Sequence, residues 1–588
     1  MSDTRKLWIA LAALLVISFT VLLIAGEQIF RAAPPMPERV VTTSGEVIYT
    51  RADIERGRQV WQSIGGMELG SIWGHGAYVA PDWSADWLHR EAMQVLDLWA
   101  RRDRGVESYA QLSREEQSAL QGRLQLMMRE NTYDPAERTI TVTEDRATAM
   151  AAVASHYTSL FGNDPETAAL REAYAMRNDT VSTPEYRRAL GAFFWWTAWG
   201  ATTERAAATG ETLAPEQAGV LPKRVTYTNN WPSEPLVGNT PPPALWVWSA
   251  FSILFLIAGI AILGWHHAVT HGRSSAGEEA HTLPASDPFA LLRITPSMRA
   301  TAKYFWVVLA LFLLQILLGA ITAHYQVEGQ EAYGFALAEF LPYSITRTWH
   351  TQLAVLWIAT AWLATGLYIA PALSGHEPKY QRLGVNFLFV SLLVIVVGAF
   401  AGQWLAVMQK LGLEWNFWFG HQGWEYADIG RFWQWYLFIG LLLWVFLVGR
   451  AMWPIVRMPG ESRSIVGLLF LATAAIGLFF GAGLMWNEHT HISEVEYWRW
   501  WLVHLWVEGF FEVFATAVMA LIFTRLGLIR VSTATIAVLF ATIIFMAGGV
   551  LGTLHHLYFV GTPTSVVALG ASFSALEVVP LAYIGFEA

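Results

Sequence analysis

The sequence has 588 residues, 54% of them hydrophobic and only 14% charged, with 30 tryptophans and a mean hydropathy of +0.35. Soluble domains carry about 25% charged residues, so the composition argues against an ordinary soluble enzyme and for an all-α polytopic membrane protein. A net charge of −9 gives no sign of a nucleic-acid partner, and the lack of cysteine excludes disulfides, thiolate metal sites, iron–sulfur clusters and the C-x-x-C-H attachment of c-type heme.

Residues 7–25, "LWIALAALLVISFTVLLIA", follow Arg5 and Lys6 with no small-residue cleavage pattern behind them, so 1–25 reads as a retained transmembrane anchor. A polar segment over 26–243 mixes helical stretches, about 86–130 and 144–176, with Gly- and Pro-rich loops such as "TNNWPSEPLVGNTPPP". Its run "AFFWWTAWG" is too short to span a bilayer and reads as core. From Ala244 on, apolar segments recur at about 244–264, 302–322, 346–372, 385–408, 432–449, 464–485, 498–524, 532–556 and 563–585, giving about ten spans in all. The region 244–301 reads as a connecting helix and loop, and 302–588 as the main helix bundle.

Alternate loops differ in charge. Arg273, Arg293, Arg299 and Lys303, then Lys379 and Arg382, then Arg450, Arg457 and Arg463, then Arg525 and Arg530 mark one side; Glu328, Glu331 and Glu339, then Glu414, Glu425 and Asp428, then Glu488, Glu494 and Glu496 mark the other. The positive-inside rule makes the basic side cytoplasmic, with a cytoplasmic N-terminus and the polar domain outside.

That topology assigns depths. His504 and Glu508 fall in the outer half of 498–524, with Glu512 a turn further along the same face. His555 and His556 lie near the outer end of 532–556, His350 near the outer start of its span, His324 at the outer rim and Glu577 near the middle of the last segment. An ionisable group at the bilayer centre costs roughly 2.5–3.5 kcal/mol on insertion scales. Several at one depth call for a binding partner, and three imidazoles with a carboxylate suit Fe(II), Zn or Mn rather than copper. Taken singly, His324 and His350 read more simply as interfacial or carbonyl-bonded histidines, and His266, His267 and His271 as headgroup-facing.

"HLWVEGFFE", "GTLHHLYF" and "FSALEVVP", in that order, resemble the nitric oxide reductases of the heme–copper oxidase superfamily. "VWQSIGGMELGSIWGHGAYVAPDW" resembles their quinol-dependent branch, whose fused extracytoplasmic domain is cytochrome-c-like but lacks heme c. The resemblance runs over nearly all of the chain. It implies that His504, His555, His556 and Glu508 ligate non-heme iron, and that Glu512 and Glu577 are nearby acids that tune the iron or pass protons. It implies His350 as an axial ligand of a low-spin heme b, beside a high-spin heme b at the reaction site. His324 and Glu328 match the quinol pair, and Gly76, Tyr78 and Glu425 resemble a calcium site at the heme propionates. The implied setting is a bacterial inner membrane, with membrane quinol as electron donor, nitric oxide as substrate and a homodimer as an assembly the class allows.

One feature departs from the family. Its second low-spin ligand and its proximal high-spin ligand form a His-x-His pair on a later helix, and no such pair follows in the sequence up to Ala588. The expectation is a chain truncated at its C-terminus. The implied reaction, 2 NO + 2 e⁻ + 2 H⁺ → N₂O + H₂O, keeps three rivals. A quinol-oxidising terminal oxidase would carry Tyr where Glu508 stands. An NO dismutase would depart from the reductase pattern at an iron ligand and the quinol pair. The last rival is an inactive scaffold that binds little heme.

Overall fold

The structure, a computed structural model, describes residues 3–74, 79–205, 225–274, 284–329, 334–460, 462–559 and 562–576; for Glu508 and for 270–274 the backbone alone is described. Nine helices among the described residues are long and apolar enough to cross a membrane. They follow the expected segments in order: Thr4–Ala32, Pro243–Val269, Pro296–Glu328, Tyr343–Ser374, Gln381–Val407, Arg431–Arg457, Arg463–Leu484, Ile492–Arg525 and Val531–Leu557. The protein is a multi-pass membrane protein. Of the tenth expected segment, the helix Thr564–Leu576 is described, and the remainder lies outside the described residues.

The first helix, Asp3–Ala32, runs seven residues past the expected anchor boundary, because "GEQIFRA" continues the helix with no Pro or capping residue to stop it. It packs along Val531–Gly552, while Pro243–Ser274 lies against Thr564–Leu576 and otherwise exposes its apolar side chains. Exposed leucine, isoleucine and phenylalanine on a helix of this length are what a lipid-facing surface requires.

The polar domain holds five longer helices: Arg51–Ser63, Trp83–Trp99, Arg114–Arg129, Glu144–Leu160 and Pro184–Thr202. Side-chain oxygens of Thr50, Asp82, Ser113 and Thr143 cap the first four, and Asp53 and Glu116 close reciprocal capping boxes. The run "AFFWWTAWG" is fully buried in Pro184–Thr202, as its aromatic content predicts. Trp83 stacks on Phe194 and Trp87 on Tyr157, with ring centroids 5.4 and 5.3 Å apart, so the domain interior is packed with aromatic rings. A four-stranded sheet goes beyond the helices and loops expected for this domain. It runs in the order Val47–Thr50, Arg39–Thr42, Thr139–Val142, Tyr133–Asp134, and its strands of two to four residues are too short to show an alternating pattern.

The domain seats directly on the bundle. Met67 N–H donates to the Gly423 carbonyl at 3.0 Å, and Gln62 Nε2 donates to the Gln422 carbonyl at 2.7 Å. Gly66 has φ +52°, and a Cβ there would lie 2.1 Å from Gly423 Cα, so only glycine permits this approach. Arg58 donates to the carbonyls of Thr490 (2.6 Å) and Glu488.

Candidate metal centre

The helix Ile492–Arg525 changes winding where its histidine lies. Ile492–Trp500 and Glu512–Arg525 are α-helical, but Trp501–Phe511 is π-helical. Such i→i+5 insertions are rare and concentrate at functional sites, since they re-aim side chains without ending the helix. His504, within the insertion, is 1% exposed. Facing it, Val531–Gly552 tightens into the 3₁₀ turn Thr553–Leu557, which carries His555 and His556. Helix Thr564–Leu576 presses on that turn: a Cβ at Gly570 would lie 2.5 Å from His555 N.

The three histidines offer ring nitrogens that all lie within 4.8 Å of one another. His504 Nε2 meets the Gly549 carbonyl at 3.1 Å, which leaves Nδ1 facing His556 Nε2 at 3.2 Å. Two nitrogens each about 2.1 Å from one tetrahedral ion stand roughly 3.4 Å apart, so this pair has the separation of two ligands on one metal. Anchoring the other His504 nitrogen on a backbone carbonyl fixes its tautomer and ring plane, as metal-ligating histidines ordinarily require. The Trp500 indole lies flat on the His556 imidazole, with centroids 3.6 Å apart and planes 3° off parallel. The residues therefore fit a metal ion.

Beside the cluster lies a cavity of about 560 Å³, lined mainly by apolar groups including Val355, Trp362, Trp506 and Phe511, with Glu512 and His556 on its wall. Its size falls within the usual range for cofactor and ligand sites.

His350 Nδ1–H donates to the Gln315 carbonyl, 2.9 Å away, so Nε2 is the ring nitrogen not committed to that bond. Its ring lies against Gly319, where a Cβ would come within 2.7 Å of Cε1. His324 Nδ1 and Glu328 Oε2 are 2.9 Å apart on one helical face and about half exposed.

A second polar layer sits between the bundle and the polar domain. Arg347 bridges Glu68 (Nε to Oε2, 2.8 Å) and Glu425 (Nη2 to Oε1, 2.6 Å). Arg499 donates to Glu496 Oε2 at 2.8 Å and to the Glu425 carbonyl at 2.9 Å, and Trp500 Nε1 donates to the same Glu496 oxygen at 3.2 Å. Asp428 accepts from Gln352 at 3.0 Å. Burial, then the nearby Glu425 charge, pushes the Glu68 carboxyl up to about 8 against the pull of Arg347. Burial likewise raises Asp428 well above the usual carboxylate range and lowers His421 to about 3.

Residues 37–233 match the NorB cytochrome c-like family, the cytochrome c-like domain of a nitric oxide reductase, and residues 299–587 match cytochrome C and quinol oxidase polypeptide I. NorB, a nitric oxide reductase component of Stutzerimonas stutzeri, is 26% identical over 285 residues, 48% of this chain and 57% of that protein, so the match spans a little over half the relative's length. The chain is a nitric-oxide-reductase-like member of the heme–copper oxidase superfamily. Membership implies heme and metal cofactors.

Of the residues expected in the metal site, the structure brings together His504, His555 and His556, and sets Glu512 on the adjoining cavity wall. The Glu508 side chain and Glu577 lie outside the described residues, as do Gly76 and Tyr78; Glu425 is described, paired to Arg347. Sequence reading missed the roles of Glu68, Arg347, Glu496 and Arg499. The available signals were a lone glutamate in "GGMELG", an arginine three residues before His350, and an arginine inside the aromatic run "YWRWW".

Proposed function

We propose that the chain is a quinol-dependent nitric oxide reductase, carrying out 2 NO + 2 e⁻ + 2 H⁺ → N₂O + H₂O in a bacterial inner membrane. On this reading the N-terminus is cytoplasmic and the polar domain, over about 26–243, faces outward. The observation that supports it most is the buried triad of histidines within 4.8 Å, opening on an apolar cavity that also carries a carboxyl group.

His504 through Nδ1, His556 through Nε2, and His555 would hold the non-heme iron, with Glu508 as the carboxylate ligand its family resemblance implies. A heme b iron beside that iron would supply electrons and positive charge for N–N bond formation. The apolar wall admits a small uncharged gas and limits water. Glu512 is exposed on that wall and can hold a proton for the oxygen that leaves as water, with Glu577 as a second acid. His350 Nε2 would bind a low-spin heme b. His324 and Glu328 would accept the hydroxyl protons of quinol as its electrons leave. Gly76, Tyr78 and Glu425 would hold calcium.

The test is quinol-driven gas consumption by detergent-purified protein, followed with nitric oxide and oxygen electrodes. The expected result is nitric oxide consumption with nitrous oxide formed at half the molar amount, lost in His504→Ala. Oxygen consumption alone would move the assignment to a quinol oxidase. Consumption of neither gas by protein carrying heme and metal would overturn the reductase reading.

A further inference from the structure

The loop containing "TNNWP" belongs to the polar domain, yet it grips the bundle immediately after the histidine turn. Asn229 Nδ2 donates to the Tyr558 carbonyl at 2.7 Å and to the Thr562 carbonyl at 3.2 Å. Arg205 Nη2 donates to the same Thr562 carbonyl at 2.7 Å. The remaining Arg205 donors are spent within the domain and on the first helix: Nη1 on the Ala32 carbonyl at 2.8 Å, Nε on Thr226 at 3.2 Å and Nη2 also on Tyr227 at 2.7 Å. Thr562 is fully buried and Asn229 is 3% exposed. Trp231 lies over Phe559, with ring centroids 5.6 Å apart.

These contacts act where the turn ends, beside the bond that Thr562 Oγ1 donates to the Leu557 carbonyl. After Leu557 the chain has left the helix, so the carbonyls of Tyr558 and Thr562 lie outside any helical hydrogen-bond ladder that would fix them. His556 is two residues from Tyr558, so the direction of the exit segment sets where its ring can point. Asn229 has φ +55° and neighbouring Asn230 φ +60°, a left-handed pair that asparagine tolerates better than most residues. The strained backbone thus delivers a side-chain amide to a defined pair of carbonyls.

We propose that Arg205 and Asn229 are positioning residues for the metal centre: the polar domain, which carries no cysteine for a heme of its own, holds the exit of the His555–His556 turn and keeps both imidazoles on the ion. The inference rests on the reading of the histidine triad as a metal site. It makes the domain an outer wall of that site. Groups that support metal ligands without touching the ion typically change metal affinity by about 10–100-fold.

The experiment compares Asn229→Ala, Arg205→Lys and Arg58→Lys in the purified full-length protein. Each is loaded with cobalt(II), and release to an external chelator is timed from the cobalt absorption band, with cobalt per chain measured at the start. Arg58 is the control, since it also joins the domain to the bundle but contacts Glu488 and Thr490, away from the histidine turn. The proposal expects release about tenfold faster in Asn229→Ala and faster in Arg205→Lys, with Arg58→Lys within twofold of wild type. Release unchanged in the first two variants, or accelerated equally in all three, would overturn it. Failure of the wild type to hold cobalt at the histidines would overturn the metal reading itself, a separate result. Should Asn229→Ala not fold, Arg205→Lys, which keeps the charge and one donor, carries the comparison with Arg58→Lys.

Discussion

Two buried polar layers lie a short distance apart, and they solve the cost of burial in opposite ways. The outer layer contains four carboxylates, Glu68, Glu425, Asp428 and Glu496, against two guanidiniums, Arg347 and Arg499. Its excess acidity is met internally, by the pairs Arg347–Glu425 at 2.6 Å and Arg499–Glu496 at 2.8 Å and by burial, which favours the protonated forms of Glu68 and Asp428. The histidine layer has imidazole donors, with two ring nitrogens turned toward one another at 3.2 Å. It supplies no compensating charge and gains most from a cation. The outer layer is paired largely within the protein, whereas the histidine layer is shaped for a metal ion.

The contrast breaks most sharply at His556. Replacing it with alanine removes one of two nitrogens at ligand spacing, and the expected outcome is loss of essentially all metal at the triad. Thermal unfolding in detergent should change little. Metal content and a melting curve on the same sample check both halves.

The outer layer should behave the other way. Arg347→Met removes the guanidinium that bridges Glu425 and Glu68, and breaking such a pair costs about 3–5 kcal/mol. The measurement is unfolding of the polar domain in denaturant, which should begin at clearly lower concentration. Metal held by the histidines should be lost only with the fold.

Trp500 joins the layers, since its indole covers His556 while its N–H reaches Glu496. Stacking of this kind contributes about 0.5–1.5 kcal/mol, so Trp500→Leu should speed metal release by a few-fold to roughly tenfold. Trp500→Phe should restore part of the lost retention, because it keeps a smaller ring face while losing the N–H to Glu496.

A pH dependence follows from the outer layer as well. The Glu68 pKa rises from 4.5 to about 8 on folding, so between those values the folded state holds a proton that the unfolded state has released. Stability should therefore fall as pH rises from about 4.5 to about 8 and level off above it. Glu68→Gln should flatten that slope, read from denaturant midpoints across the range.

The membrane helices were legible because long apolar runs alone identify them, and every span from Pro243 to Leu557 falls where expected. The histidine triad was legible because imidazoles at one depth in separate spans stand out against lipid. The π-helical winding of Trp501–Phe511 was not, since it depends on packing around "HLWVE" and leaves no mark on hydrophobic period over eleven residues. The grip of Asn229 on Tyr558 joins residues more than 300 positions apart, and no local pattern encodes such a contact. "TNNWP" reads in sequence as a turn, and only the fold shows what the turn holds.

The most direct test of the central claim, that these histidines form one metal site, is X-ray absorption at the cobalt edge of cobalt-loaded protein, where heme iron does not contribute. The account predicts three imidazole nitrogens at about 2.1 Å, reduced to two in His555→Ala. A spectrum with one imidazole or none in the wild type, or one unaffected by the substitution, would contradict it.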